Sequence, residues 1–431
     1  MGFVSLDNVS RAGSTVRFGF SSSAEVAQVM KADVLTVTYD ISVDSVPESV
    51  LAVTFVANFL PFAWLMDIEI RVPELDADFY DCLPKLADGY RQVFPGRKIG
   101  GRVTCERRVV SSVAERGRCG VFYSGGLDAV TTLLDHLDER PDLLSVWGAD
   151  IAYGNEDGWR MTNGKIAAGV QGLGLAQIVA RCDFRVIEDE GRLHFMALEA
   201  LGDGWWHGLK HAIALFGIMA PVAYARRHER LYVASSHCRA MGLAACASNP
   251  LTDNEVRFCG CRIVHDGYEY SRQDKAGRLL EGSRRIGLKI PLHVCWETQT
   301  GENCCQCEKC LRTITEILVE GGDPEEFGFA GFRRHYTSAH VIPLLRRTFH
   351  ERNVSGNNTI NRSWAMCVPR IRAHESALRR TPEWPVFEWM LAHDFLSNDS
   401  ITLPLDDRLR RHPLRRWLYR CLRPFGRKEL D

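Results

Sequence analysis

Cys119-Gly120-Val121-Phe122-Tyr123-Ser124-Gly125-Gly126-Leu127-Asp128-Ala129 decides how this chain is read. An apolar run breaks at Ser124-Gly125-Gly126, and a helix is expected from Ala129 to Glu139. Two glycines let the backbone approach a ligand with no Cβ in the way, and the free N–H groups of a helix start favour an anion. Asp128 in the first helical turn suits the helix dipole, and its carboxylate can also help hold a metal on a polyphosphate. No Gly-Lys-Ser/Thr follows, so the stretch is not a Walker A loop.

Outward from it, strands and helices alternate. Strands are expected at Leu143–Asp150, Ala176–Arg181 and Leu231–Ser236, with helices near 159–172 and 207–227 between them. Such alternation predicts an α/β fold, a doubly wound parallel sheet whose ligands sit beyond the carboxyl ends of the strands. Those ends are Ser124–Gly126, Gly148–Asp150, Cys182–Asp183 and Ser235–His237. Tyr123, Ser124, Gly125, Gly126, Leu127, Asp128, Gly148 and Ser235 are thus the candidate nucleotide-binding positions. The long segment 236–275 offers Arg239, Arg272 and Lys275 to neutralise an anion, and Lys275 joins Ser124 and Asp128 as a candidate catalytic residue. In Gly202-Asp203-Gly204-Trp205-Trp206-His207-Gly208, the two Trp are expected to pack beneath the following helix, with His207 near its cap. Cys259, Cys261 and His265 lack a fourth metal partner and are read as strand residues.

A second pattern, Cys295-x8-Cys304-Cys305-x-Cys307-x2-Cys310, holds five of the 15 cysteines in 16 residues. Cys295, Cys304, Cys307 and Cys310 can turn around one tetrahedral zinc, with a helix from Lys309 to Val319 growing out of the site. An iron–sulfur cluster is the chemical rival. Cys305 is expected to stand outside the metal shell.

Ser124-Gly125-Gly126-Leu127-Asp128 resembles the PP-loop of the ATP pyrophosphatase superfamily, with Ala129 in place of the final Ser. Together with the four cysteines and Leu311-Arg312, it resembles a divergent 7-cyano-7-deazaguanine synthase over about residues 119–320. The resemblance implies a doubly wound PP-loop (HUP-like) sheet with a zinc-binding insert, ATP with Mg²⁺, and a structural zinc. It further implies adenylation of a small carboxylate substrate, release of pyrophosphate, then attack by ammonia or an amine with release of AMP. The chain departs from that family in the hundred-odd residues before the loop, the 110 or so after the cysteines, and Cys305 where Gly is usual.

Around this core, residues 1–110 are expected to form a separate α+β accessory domain, for recognition or homodimerisation. It includes a strand at Val34–Asp40 and a helix from Ala77 to Phe94, capped by Asp76 and interrupted at Pro84. Residues 111–325 are the ATP pyrophosphatase-like domain, and residues 326–431 a basic, mainly helical extension. The apolar run Val50–Met66 reads as a buried strand and turn, not a membrane span. The start Met1-Gly2-Phe3 predicts no secretory leader, and an odd count of scattered thiols fits the cytoplasm. The net charge of -1 is unevenly spread: residues 331–431 carry 19 Arg/Lys against 10 Asp/Glu, leaving -10 on the rest. Leu414–Leu422 would form a basic amphipathic helix, expected to dock on the acidic body in preference to nucleic acid. Two other classes fit the same residues: a non-catalytic nucleotide- or RNA-binding module, and a tRNA-modifying PP-loop enzyme.

Overall fold

The computed structural model describes residues 2–111, 117–355 and 359–397. Eleven strands form one mixed sheet. They are β1 (Phe3–Ala12), β2 (Thr15–Ser22), β3 (Val34–Tyr39), β4 (Glu69–Asp76), β5 (Arg102–Val109), β6 (Arg118–Phe122), β7 (Asp142–Trp147), β8 (Gln177–Cys182), β9 (His228–Ala234), β10 (Arg257–Phe258) and β11 (Cys261–Asp266). Their order across the sheet is β10-β11-β9-β6-β7-β8-β3-β2-β1-β4-β5. From β11 to β8 every pairing is parallel. In that stretch the chain moves outward from β6 through β7 to β8, then returns to β9 on the other flank of β6.

Residues 1–110 do not stand apart. β3 pairs antiparallel with β8, Val37 opposite Cys182 and Tyr39 opposite Ala180, so the first five strands extend the same sheet. Buried residues of both parts, such as Phe18, Phe55, Phe184 and Phe216, belong to one hydrophobic cluster. The chain divides instead into two compact units, Met1–Ala330 and Gly331–Asp431. Strict alternation explains the N-terminal strands: Val16, Phe18 and Phe20 of β2 and Leu35, Val37 and Tyr39 of β3 point to one buried face. Both sheet edges are blunted, β10 by its two-residue length and β5 by exposed arginines such as Arg102 and Arg107 paired to Glu69 and Glu74.

Val50–Met66 is not strand and turn but part of one helix, Glu48–Met66, that contains Pro61 and ends on Asp67 in the left-handed region. It is apolar on every side because it is buried on nearly every side, and then no periodicity distinguishes helix from strand. It packs on the helix His211–Arg226: Thr54 Oγ1 donates to Gly217 O at 2.8 Å, and a Cβ at Gly217 would lie 2.3 Å from the Ala57 methyl. Glu48–Met66 and Trp205–Arg226 are each long and apolar enough to cross a membrane, yet both lie mostly inside the molecule, as core helices do. The helix Ala77–Val93 passes Pro84 without a break and is capped by Asp76, which accepts from Phe79 N at 3.1 Å.

The second unit is helical throughout its described residues, with helices Ser338–Ser355, Thr359–Ala365, Cys367–Ala373 and Trp384–Leu391 closing on Phe349, Trp364 and Phe395. The stretch Leu414–Leu422 lies outside the described residues.

Gly217→Val should force the two core helices apart. A loss of about 3 kcal/mol is expected, typical of severe overpacking, and a lowered urea midpoint of unfolding measures it.

Candidate functional site

β6 ends at Phe122, and Ser124-Gly125-Gly126 leads into the helix Leu127–Asp135, shorter than expected from sequence because a 3-10 turn, Leu137–Glu139, follows. Gly125 adopts φ +75°, a region open to glycine, and its carbonyl accepts from His293 N at 2.7 Å. Gly126 caps the helix without any side-chain acceptor, so the first N–H groups stay free of a capping side chain. At Gly126 the backbone is ordinary (φ −73°), and a Cβ would meet nothing closer than Ser124 Oγ at 3.5 Å.

The other sequence candidates sort into two groups. Tyr123 and Leu127 are buried supports: Tyr123 O accepts from Ser145 Oγ at 2.8 Å, and Leu127 is fully enclosed. Gly148 is required by close approach, since a Cβ there would sit 2.0 Å from Cys182 O. Ser235 is fully buried, its hydroxyl donating to His237 O at 2.7 Å and meeting His265 Nε2 at 2.8 Å. Arg239 is exposed, whereas Arg272 and Lys275 are buried and reach Asp128.

Asp128 is thus the hub. Arg272 Nη1 donates to its Oδ2, and Lys275 Nζ to its Oδ1 at 3.2 Å. Burial alone would raise its carboxyl, but Arg272, Lys275 and Lys309 outweigh that and hold it well below the usual carboxylate range. Lys275 Nζ also donates to Ser235 O, which fixes it to the end of β9. Both cations come from the first turn of the helix Arg272–Ile286, begun by a capping box between Ser271 and Asp274. With a cation on each oxygen, Asp128 is not a free ligand for Mg²⁺; the residues here do not fit that role.

Arg272 reaches further, to Thr313 Oγ1 at 3.1 Å and to Glu316 Oε1 at 3.4 Å, both on the helix Glu308–Val319. That helix grows directly from the cysteine quartet. The Sγ atoms of Cys295, Cys304, Cys307 and Cys310 all lie within 4.8 Å of one another, with Cys295–Cys307 and Cys304–Cys310 each at 3.9 Å. Thiolates about 2.3 Å from one tetrahedral ion stand about 3.8 Å apart, so the group can hold a single metal ion such as zinc. A multi-iron cluster gives each thiolate its own iron and spreads the sulfurs more widely. Cys304 accepts from Gln306 N at 3.4 Å and Cys307 N at 3.3 Å, and Cys305 turns the corner at φ +57°. That left-handed position explains why Gly would suit it. The Cys305 thiol points out of the group, toward Asn303 O and Ala330 O.

Sequence reading missed three features. Asn303 clips the knuckle together, accepting from Val294 N and Cys295 N and donating to Leu292 O and Gly328 O. Lys309, between two of the cysteines, lies beside Trp296 and within electrostatic reach of Asp128. The third is the surroundings of His207. Trp205–Lys210 is a turn of π-helix opening the long core helix; Trp205 is core, donating to Glu188 Oε1 at 2.7 Å, but His207 is more than half exposed and bonded to Asp203. Cys259 proves to be a hairpin turn residue at φ +45°, while Cys261 is in β11. His265 is engaged by Asp253 and Ser235, with no role as a metal ligand.

Comparisons with protein-family models, curated proteins and solved structures give no match. Residues and geometry alone define the site.

Purified protein should carry about one zinc per chain, as a closed four-thiolate site does. Cys304→Ser or a strong chelator should release it and lower the melting temperature, because metal binding and local folding are coupled. A second expectation concerns pH. A carboxyl lowered in the folded state stabilises fully above its unfolded value of about 4 and loses that contribution as pH falls through its folded value. The stability gap between wild type and Asp128→Asn, read by denaturant titration, should therefore narrow as pH is lowered below about 4.

Proposed function

We propose that this chain is an ATP-dependent enzyme of the PP-loop class, with a doubly wound sheet, that activates a small carboxylate as its adenylate. The observation that carries the reading is the uncapped Ser124-Gly125-Gly126 turn at the carboxyl end of β6, where the chain reverses direction between β6 and β9. In this reading the phosphates of ATP lie on the N–H groups of Gly125, Gly126 and the helix start. Asp128 is a positioning residue: it pins Arg272 and Lys275, whose two charges exceed its own and leave a positive field beneath the phosphates. Ser124 lines the turn and Lys275 steadies the charge that develops on the departing pyrophosphate.

The substrate carboxylate oxygen attacks the α-phosphorus, the bond to the β-phosphate oxygen breaks, and pyrophosphate leaves. Ammonia or an amine then attacks the acyl carbon, AMP leaves, and an amide-type product remains. Zinc in the quartet would be structural, since four cysteines fill its coordination and leave no open position. It would hold the Glu308–Val319 helix where Thr313 and Glu316 support Arg272. Free redox cysteines of the kind tRNA thiolation needs are not supplied by thiolates gathered on one ion, which favours the small-molecule reaction.

Gly126→Ala tests this directly. The added methyl fits the folded backbone with ordinary contacts, so melting should be unchanged, yet it would intrude into the phosphate cradle. ATP-dependent AMP and pyrophosphate release, assayed with a small-molecule cell extract and ammonium, should fall about 100-fold, as for loss of an oxyanion-type donor. Unchanged release would place the phosphates elsewhere. ATP binding without AMP would favour the non-catalytic binding module.

A further inference from the structure

The helix that begins at Trp205 follows β8 and runs down to the start of β9, so its first turn lies at the carboxyl ends of the strands, the same side as the Gly125-Gly126 turn. There His207 Nδ1 meets Asp203 Oδ2 at 2.8 Å. One helical turn on, His211 Nδ1 donates to Trp206 O at 3.1 Å. Each imidazole thus has one nitrogen committed, and both hydrogen-bond the thiol of Cys246. The loop bearing Cys246 is pinned in place: Ala247 N donates to His207 O at 2.9 Å, and Ala247 O accepts from Tyr90 Oη at 3.3 Å and from Thr252 Oγ1 at 3.1 Å. A nucleophile, a base and a carboxylate that orients the base are the parts of a thiol acyl-transfer site.

Contrast with the other thiols isolates this one. Cys82 and Cys119 behave as ordinary buried thiols, pushed up to about 12 by desolvation. Cys246 is buried as well, at 4% exposure, yet His211 and His207 overcome that burial and bring its thiol well below the usual range, while His207 is raised to about 10. A thiolate–imidazolium pair kept in a largely dry site is costly to maintain as mere packing. Nor is it a metal site: among the described residues, only the Cys295–Cys310 quartet brings its ligand atoms together. A second array, Ser235–His265–Asp253, has similar spacing (2.8 and 2.7 Å), but all three side chains are buried and the Ser235 hydroxyl is spent on His237 O. It braces Lys275 and offers no nucleophile. His237, in turn, lies within electrostatic reach of both Asp128 and Cys246, which places the thiol in the neighbourhood of the phosphate turn.

We infer that Cys246 is a catalytic nucleophile, oriented with His207 and Asp203, that accepts the activated acyl group as a thioester before nitrogen attack. This rests on the adenylating reaction above for its acyl donor. The thiolate sulfur attacks the acyl carbon of the mixed anhydride; a C–S bond forms, the C–O bond to phosphate breaks, and AMP departs with that electron pair. His207, no longer facing an anion, releases its proton to solvent. An amine or ammonia then attacks the thioester carbon, the C–S bond breaks to return the thiolate, and neutral His207 takes the proton lost by nitrogen. No electrons are exchanged with an oxidant or reductant. Access to the sulfur runs past the exposed ring of His207.

The test supplies the acyl donor ready-made. Full-length protein is treated with acetyl adenylate, and acetylation that neutral hydroxylamine removes is located by peptide mass mapping. Parallel samples receive iodoacetamide. Cys246 should react at least about 100-fold faster than the more exposed Cys105, the scale of activation by a positioned base. Acetylation should vanish in Cys246→Ser and slow by a similar factor in His207→Ala. If His207→Ala fails to fold, Asp203→Asn must show a slowed reaction at unchanged melting temperature. Reaction at Cys246 no faster than at Cys105, or unaffected by the loss of Asp203 or His207, overturns the assignment. ATP-dependent AMP release is followed in the same preparations. Loading from acetyl adenylate with no AMP release would remove the ATP reading and leave the thiol assignment standing. Amide formation with wild-type AMP release in Cys246→Ala would do the reverse.

Discussion

Two cations gathered on the single carboxylate of Asp128 hold this site together. Taking a carboxylate out of water is expensive unless its partners are close and well directed. Here each oxygen has its own donor, and the donors sit on a different helix from the acceptor. Arg272 then spends its remaining donors on Thr313 and Glu316, one helix further along. Loop, cation helix and the helix of the cysteine quartet are thereby one object. A metal ion that steadies the quartet would act on the Gly125-Gly126 turn through only two side-chain contacts, with no direct ligand between them.

The same economy shapes the sheet. Five strands from the first 110 residues pair onto β8, where the parallel stretch would otherwise end in an open edge. Polar ties reinforce the join: Asp183 accepts from Thr36 N at 2.8 Å and Asp40 from Val179 N at 2.9 Å. Tyr39 of β3 reaches Ile218 O in the core helix that leads down from the His207 turn. The N-terminal strands are therefore part of the framework that fixes the strand ends, which gives them a positional role whatever else they bind.

Much of this was legible in the chain, and the limits have physical causes. The β6 turn and the cysteine quartet are local in sequence, with their chemistry compressed into 11 and 16 residues, so spacing alone conveys them. The alternation after Cys119 gave β7, β8 and β9 to within a few residues, because buried strands are short apolar runs bounded by turns. The junction of β3 with β8 was hidden, since strand pairing across some 140 residues leaves no trace in either strand's own pattern. Val50–Met66 misled because a helix buried all round loses the amphipathic period that marks helices. Arg272 and Lys275 could be named as candidates, yet nothing in the sequence said that Asp128 would claim both. Asp203, His207 and Cys246 converge only because a π-helical turn and a returning loop are tied at Ala247. The sequence shows an odd Gly-flanked aromatic loop on one side and an unremarkable cysteine on the other.

That hidden convergence bears on why both arrays lie at one end of the sheet. Adenylates are high-energy mixed anhydrides that water destroys. A thiolate held by the framework that binds the phosphates meets the acyl carbon as an intramolecular neighbour, the situation in which positioning contributes most to rate. The acyl group then waits on sulfur, where hydrolysis is slower, until a nitrogen nucleophile arrives. A site with only the phosphate turn must instead bind carboxylate, ATP and amine together. On physical grounds the two-stage arrangement needs fewer groups in place at once, and it gives Asp203 and His207 a function that neither packing nor metal binding supplies.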